Sequence, residues 1–157
     1  GDNCLISPEF MDYAIEKHIE KRADFTSTKD LAGGSRGDIF SISALKRLKN
    51  LLQDARASEY LSWLLADERY FKVQWLSVDE KLKRPRYRLH CDTPEDLVFV
   101  ETVYEKLYDG KNIVDYRKVI QLLDEHPEIV ALNNNIEQRS PQYVKEFINL
   151  ELKNSAM

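Results

Sequence analysis

Two stretches of the sequence open helices by the same rule, and together they decide what kind of fold the chain can adopt. In "YRLHCDTPEDLVFVETVYEKLY" (87–108), Thr93 can cap a helix, Pro94 suits its first position, and Glu95 and Asp96 favour the positive end of its dipole. Leu97, Val100, Val103, Tyr104 and Leu107 then recur at helical spacing. "GDNCLISPEFMDYAIEKHIEKR" (1–22) repeats the scheme with Ser7, Pro8 and Glu9, followed by Phe10, Met11, Ala14, Ile15 and Ile19. In each stretch an Asp stands upstream of the cap, Asp2 by five residues and Asp92 by one, so the two do not form an internal repeat. Helix grammar leaves both carboxylates unexplained.

Strand-like and helix-like segments alternate around these two starts. "ADFTST" (23–28), "DIFSI" (38–42), "YFKVQWLSV" (70–78) and "RYRLHC" (86–91) read as strands. Helices are expected over "SALKRLKNLLQDA" (43–55), "SEYLSWLLADER" (58–69) and "DYRKVIQLLDEHP" (115–127), and again from Pro141 with Ser140 as cap. Interleaving of this kind favours an α/β sheet layered by helices. In such sheets ligands bind beyond the carboxyl ends of strands, where this reading puts Asp2 and Asp92.

The totals narrow the chemistry. At 157 residues one domain can bury a sizeable core. Twenty-seven acidic against 23 basic residues give a net charge of -4, which does not favour nucleic acid as a partner. An anionic ligand must then be held by a few placed donors or by a metal. No apolar run approaches the ~20 residues of a membrane-spanning helix, so no membrane partner is expected. Two cysteines, Cys4 and Cys91, are too few for a disulfide framework and fit a reducing cytoplasm. The opening "GDNCLI" has no initiator Met and no signal-peptide character, and reads as the tail of a strand begun upstream. The chain is therefore expected to be a fragment.

Four constellations could carry chemistry. Two carboxylates converging at strand ends can hold Mg²⁺, which takes one or two protein carboxylates and completes its shell with water and phosphate oxygens. Asx-turns or additional caps explain the same two residues equally simply. "GGSRGD" (33–38) could bring backbone N–H groups and Arg36 to an anion, or be an ordinary connection without Walker or dinucleotide spacing. "KLKRPRYR" (81–88) is a basic cluster in an acidic chain, either an anion site or a solvated edge. Its Arg88 precedes Asp92 by four residues, on the same face if the strand is regular. His18, His90 and His126 have no zinc spacing, and His18 is expected on a helix surface. Trp63, Trp75 and Tyr60 are expected in the core.

Here a family resemblance enters. "GDNCLISPEFMDYAI" resembles the "GD-x-P-L-I-x-P-E" segment of the cytidylyltransferases that make CMP-activated acidic sugars, and "RYRLHCDTPEDLVFVETVYEKL" resembles their "R-L-T-V-D-T-P-E-D-L" segment. "GGSRGDIFSISALKRL", "SEYLSWLLADERYFKV" and "VIQLLDEHPEIVALNNNIEQ" follow the family order, and look most like its spore coat polysaccharide branch. The resemblance implies a Rossmann-like nucleotidyltransferase fold in which a sugar acid attacks the α-phosphate of CTP, Mg²⁺ assists and pyrophosphate leaves. It implies Asp2 and Asp92 as catalytic metal ligands and sets Asp38 in the sugar-side loop, while Arg36 and Arg88 stand as candidate substrate-binding cations from the loop and the basic cluster. It also shifts the reading of the two carboxylates from turn-formers to metal ligands.

The chain departs from the family in telling places. The family's nucleotide loop, "R-x-x-S-x-R-L-P-x-K", is absent, so these residues alone are expected to bind and turn over CTP poorly. His90 and Cys91 replace the usual Thr-Val, Asp38 stands where the branch has Glu, and Tyr60 where the classical synthetases have His. The expected organisation is a partial nucleotidyltransferase domain over 1–112 and a helical extension over 113–157, self-associating as a homo-oligomer. Two other readings remain: a non-catalytic module for assembly or partner binding, and a glycosyltransferase of related fold. The last lacks its D-x-D motif, since "DERY", "DEKL" and "DEHP" do not supply one.

Overall fold

In a computed structural model of the chain, residues 2–52 and 61–137 are described. The helix expected from Pro141, and Tyr60 with the start of the 58–69 helix, lie outside them. The described elements run α1 (Pro8–Lys21), β1 (Phe25–Ser27), β2 (Ile39–Phe40), α2 (Ile42–Leu51), α3 (Leu61–Leu65), β3 (Val73–Trp75), a 3₁₀ turn (Glu80–Leu82), α4 (Pro94–Leu107), α5 (Tyr116–Glu125) and α6 (Pro127–Val130). The result is a mixed α/β structure with a small sheet. The chain divides into two compact units. Among the described residues, one comprises 2–13, 28–37 and 76–136, and the other 14–27, 38–52, 61–75 and Glu137.

The second unit holds the sheet, in the order β2-β1-β3. β1 runs antiparallel to β2, with Phe25 opposite Phe40, and parallel to β3, with Phe25 opposite Val73 and Ser27 opposite Trp75. Every residue of β1 is buried, as expected of a central strand covered on both faces. Phe25, Ala44, Leu48, Leu65 and Phe71 form the core beside it; each large apolar side chain so buried is worth about 1.5–3 kcal/mol. α2 starts where Ser41 accepts the Ala44 N–H, and it lies against α3.

His18 departs from expectation. It is buried, with Nδ1 2.9 Å from the Thr26 hydroxyl, which itself donates to Gln74 Oε1 at 3.3 Å. A single hydroxyl proton goes to Gln74, so His18 Nδ1–H is the donor to Thr26. The tryptophans also differ: Trp63 and Trp75 are partly exposed, and the Trp75 indole N–H reaches Glu68. An indole keeps its polar edge near water or a partner, which a dry core would deny it.

The first unit is helical. α4 contacts both α5 and α6, and the buried residues Phe99, Val100 and Val103 of α4, Val119, Ile120 and Leu123 of α5, and Ile129 of α6 supply its core. Asp115 caps α5, and the helix expected to continue to Pro127 stops at Glu125. Pro127 instead opens α6, because its ring cannot continue a helix but suits a first position.

The strand expected over 86–91 reduces to one parallel bridge between Gly33 and Arg88. The Gly33 N–H donates to the Tyr87 carbonyl and the Leu89 N–H to the Gly33 carbonyl, while the Arg88 carbonyl accepts from the Asn133 side chain. The ladder stops there because the groups that would continue it are taken: the Ser35 N–H donates to the Ala32 carbonyl, the Cys91 N–H to the Asp2 carbonyl, and the Ser35 carbonyl accepts the Ser7 N–H. Gly34 makes the approach possible. Its φ is +89°, and a Cβ there would lie 2.6 Å from the Leu89 carbonyl carbon.

Candidate functional site

The turn before α4 is built as its sequence suggests, and then further secured. Thr93 caps the helix with Pro94 inside it, and Thr93 with Asp96 completes a capping box. Asp96 does more than cap. It is fully buried, and Arg88 donates to it twice, Nε to Oδ1 and Nη2 to Oδ2, both at 2.8 Å. Asp96 Oδ2 also accepts the backbone N–H groups of Asp92 and Thr93, and Asn133 Nδ2 donates to Oδ1 at 2.9 Å. Burial alone would raise the Asp96 carboxyl, but the Arg88 guanidinium, the Asp92 N–H and the Asn133 amide outweigh it and hold it well below the usual carboxylate range.

Arg88 therefore does not lie on a solvated edge. Its guanidinium is buried, and the carboxylates it meets belong to its own chain. Nη2 also donates to Asp92 Oδ2 at 2.9 Å, so the four-residue spacing does put Arg88 and Asp92 together. Their side chains are 7% and 46% exposed. The pair is thus anchored on one side and open on the other.

The segment carrying Asp2 lies against the segment leading to Asp92. The Cys91 N–H donates to the Asp2 carbonyl at 2.8 Å, and His90 Nδ1 lies 3.1 Å from Asn3 Oδ1. Both carboxylates act on the His90 ring: burial first, then Arg88 and Arg36, hold its pKa below the ordinary value, while Asp92 and Asp2 oppose them. Asp2, Arg36, Arg88 and Asp92 thus share one electrostatic neighbourhood. Neither Asp follows a described strand, so the strand-end placement expected from sequence is replaced by two segments without regular secondary structure, linked by a backbone hydrogen bond.

The loop "GGSRG" is anchored through its own backbone. The N–H groups of Gly33 and Ser35 bond the carbonyls of Tyr87 and Ala32, and the Ser35 carbonyl accepts the Ser7 N–H. Asp38 belongs to the second unit, where its Oδ1 accepts the hydroxyl proton of the buried Ser27.

Among the described residues no group of three or more His, Cys, Asp and Glu side chains is gathered as a metal cage. Two hard oxygen donors are nonetheless present. Asp2 is exposed, and Asp92 gives only Oδ2 to Arg88. That donor set fits a cation that keeps several of its waters, as Mg²⁺ does.

Sequence reasoning missed Asn133 and the second role of Asp96. "NNN" has no periodicity to mark one Asn as buried, and an acidic residue three positions after a cap is fully explained as a capping box.

No protein-family model matches the sequence. The chain is 33% identical over 148 residues to an uncharacterized protein of Methanocaldococcus jannaschii, covering 93% of this chain and 60% of that protein. It is 26% identical over 130 residues to the spore coat polysaccharide biosynthesis protein SpsF of Bacillus subtilis, covering 82% of this chain and 54% of SpsF. The chain thus spans little more than half the length of these relatives. Among solved structures it resembles a cytidylyltransferase from Leptospira borgpetersenii, with a TM-score of 0.70 and 20% identity, over 88% of this chain and 58% of that one. The fold is similar to that of a cytidylyltransferase.

Proposed function

We propose that the chain is part of a CTP-dependent nucleotidyltransferase that activates an acidic sugar as a CMP-sugar for surface polysaccharide biosynthesis in the cytoplasm. The observation that carries this reading is the joining of the Asp2 and Asp92 segments through the Cys91 N–H, with Arg88 and Asp96 holding the Asp92 turn, in a fold similar to that of a cytidylyltransferase. Asp2 and Asp92 would hold Mg²⁺, which when bound neutralises phosphate charge and orients an in-line displacement.

The protein's own groups have separate tasks in this reading. Asp96 and Arg88 fix where the Asp92 carboxylate stands, so that its free oxygen is aimed before substrate arrives. Arg36 offers positive charge to the anionic substrates, and the buried Arg88 serves them through the Asp92 turn that it holds. Asp38, oriented by Ser27, accepts hydroxyl groups of the sugar. The nucleotide-loop motif is not among these residues, so the 157 residues alone turn CTP over poorly. The whole protein is a homo-oligomer, which sedimentation equilibrium checks. Among the described residues no helix is long and apolar enough to cross a membrane.

The test is pyrophosphate release from CTP by the whole gene product, with a panel of sugar acids and Mg²⁺. Release that needs both the acid and the metal supports the reading. Silence with every acid tried favours a non-catalytic module, and release from a preformed nucleotide sugar favours a glycosyltransferase.

A further inference from the structure

The two cysteines lie far apart in sequence and side by side in space. The Cys91 N–H donates to the Asp2 carbonyl at 2.8 Å, and the Cys4 carbonyl accepts the Tyr104 hydroxyl proton at 2.8 Å. Each cysteine is therefore tied by its own neighbourhood to the place where the two carboxylate-bearing segments meet. Burial first, and then the neighbouring Cys4 side chain, hold the Cys91 thiol above its ordinary value. Both cysteines are free; Cys4 is exposed and Cys91 half-buried. The chain has no other cysteine to compete for either.

We infer that Cys4 and Cys91 are a thiol pair that closes reversibly into a disulfide linking the Asp2 segment to the Asp92 segment. The exposed Cys4 thiolate attacks a small disulfide such as oxidised glutathione. One glutathione leaves as its thiol, and a mixed disulfide remains on Cys4. The Cys91 thiolate then attacks the Cys4 sulfur, and the second glutathione leaves. Two protein thiols are oxidised, one glutathione disulfide is reduced to two thiols, and two protons pass to solvent or to the leaving thiolates. The attack needs no large rearrangement, because the segments that carry the two cysteines are already bonded to each other; it does need the sulfurs to close to about 2.05 Å. That closure draws together backbones lying two residues from Asp2 and one from Asp92.

The link itself is independent of the proposed activity, whereas its effect on catalysis rests on that reading. Displacement of a reacting group by about 1 Å can cost about a hundredfold in rate, so the oxidised form is expected to release pyrophosphate at least about tenfold more slowly, with recovery in dithiothreitol.

The experiment exposes the whole gene product to a graded ratio of oxidised to reduced glutathione, followed by non-reducing peptide mapping. The expected result is a Cys4–Cys91 cross-link within one chain, reversed by dithiothreitol and absent from Cys4→Ser and Cys91→Ser variants. Cys91→Ser should instead stop at a mixed disulfide on Cys4. Two thiols that stay free, carry glutathione only, or cross-link between chains would overturn the inference. Pyrophosphate release is measured on the same samples. A cross-link that forms without slowing an active enzyme removes the catalytic effect. A protein silent in both redox states counts against the cytidylyl-transfer reading, and the peptide map still decides the disulfide.

Discussion

Arg88 grips Asp96 through two parallel hydrogen bonds of 2.8 Å, and the same guanidinium reaches Asp92 at 2.9 Å. One buried cation thus joins a fully buried carboxylate to a half-exposed one. Replacing Asp96 with Ala leaves Arg88 buried with only Asp92 to answer it, and is expected to destabilise the fold by about 3–5 kcal/mol. Urea denaturation measures this. Because the folded carboxyl is held below its ordinary range, its contribution is complete above about pH 4 and is lost as pH falls from there through the folded value. Acid unfolding of the Asp96→Ala variant should accordingly be shallower than that of the parent.

Asn133 Nδ2 donates both to Asp96 and to the Arg88 carbonyl. Asn133→Ala removes both bonds and is expected to cost about 1–3 kcal/mol. Asn133→Asp should be worse, since it faces a buried carboxylate with a second one. Denaturation midpoints in the order parent, Ala, Asp check the role; equal midpoints would remove Asn133 from the cluster.

Gly34 combines a left-handed φ with a Cβ position already occupied by the Leu89 backbone. Gly34→Ala must push the loop off the Arg88 segment, and is expected to lower the thermal midpoint by several degrees, the shift that about 1–3 kcal/mol produces in a domain of this size. Gly110 has a similar φ but nothing within 4 Å, so Gly110→Ala should cost less.

His18 is buried, and that burial holds its pKa below the ordinary value, with the charge on Asp24 opposing only in part. A neutral ring in the fold and a protonated one in the unfolded chain make stability complete above about pH 6.5 and lost as pH falls from there through the folded value. The urea midpoint should therefore drop between pH 7.5 and 5.5, and His18→Gln should flatten that part of the profile.

Local chemistry made the helix starts legible. Ser7 and Thr93 act as caps, bonding the Phe10 and Asp96 N–H groups as their spacing implies, because a cap is decided within four residues. The mixed α/β class was legible for the same reason. Strand extents were not: β3 covers three residues of an alternating run of nine, and 86–91 keeps a single bridge. Sheet pairing depends on distant partners, and alternation cannot reveal where they end. The link between Arg88 and Asp92 was visible as spacing, whereas Asn133 reaches Arg88 and Asp96 across 45 and 37 residues of sequence and carried no local signal. His18 sat on a polar-looking stretch of α1, and only the packing of Thr26 beside it made it internal.

The most direct measurement compares steady-state pyrophosphate release by the whole gene product and by its Asp92→Asn variant, at saturating CTP, sugar acid and Mg²⁺. Asp92 is half-exposed and its amide can still accept from Arg88, so the variant should keep the parent's denaturation midpoint within about 1 kcal/mol. Turnover should fall at least about a hundredfold, as expected when a group that stabilises charge in the transition state is lost. A variant that folds normally and turns over at the parent's rate would contradict the assignment of Asp92 to the reaction.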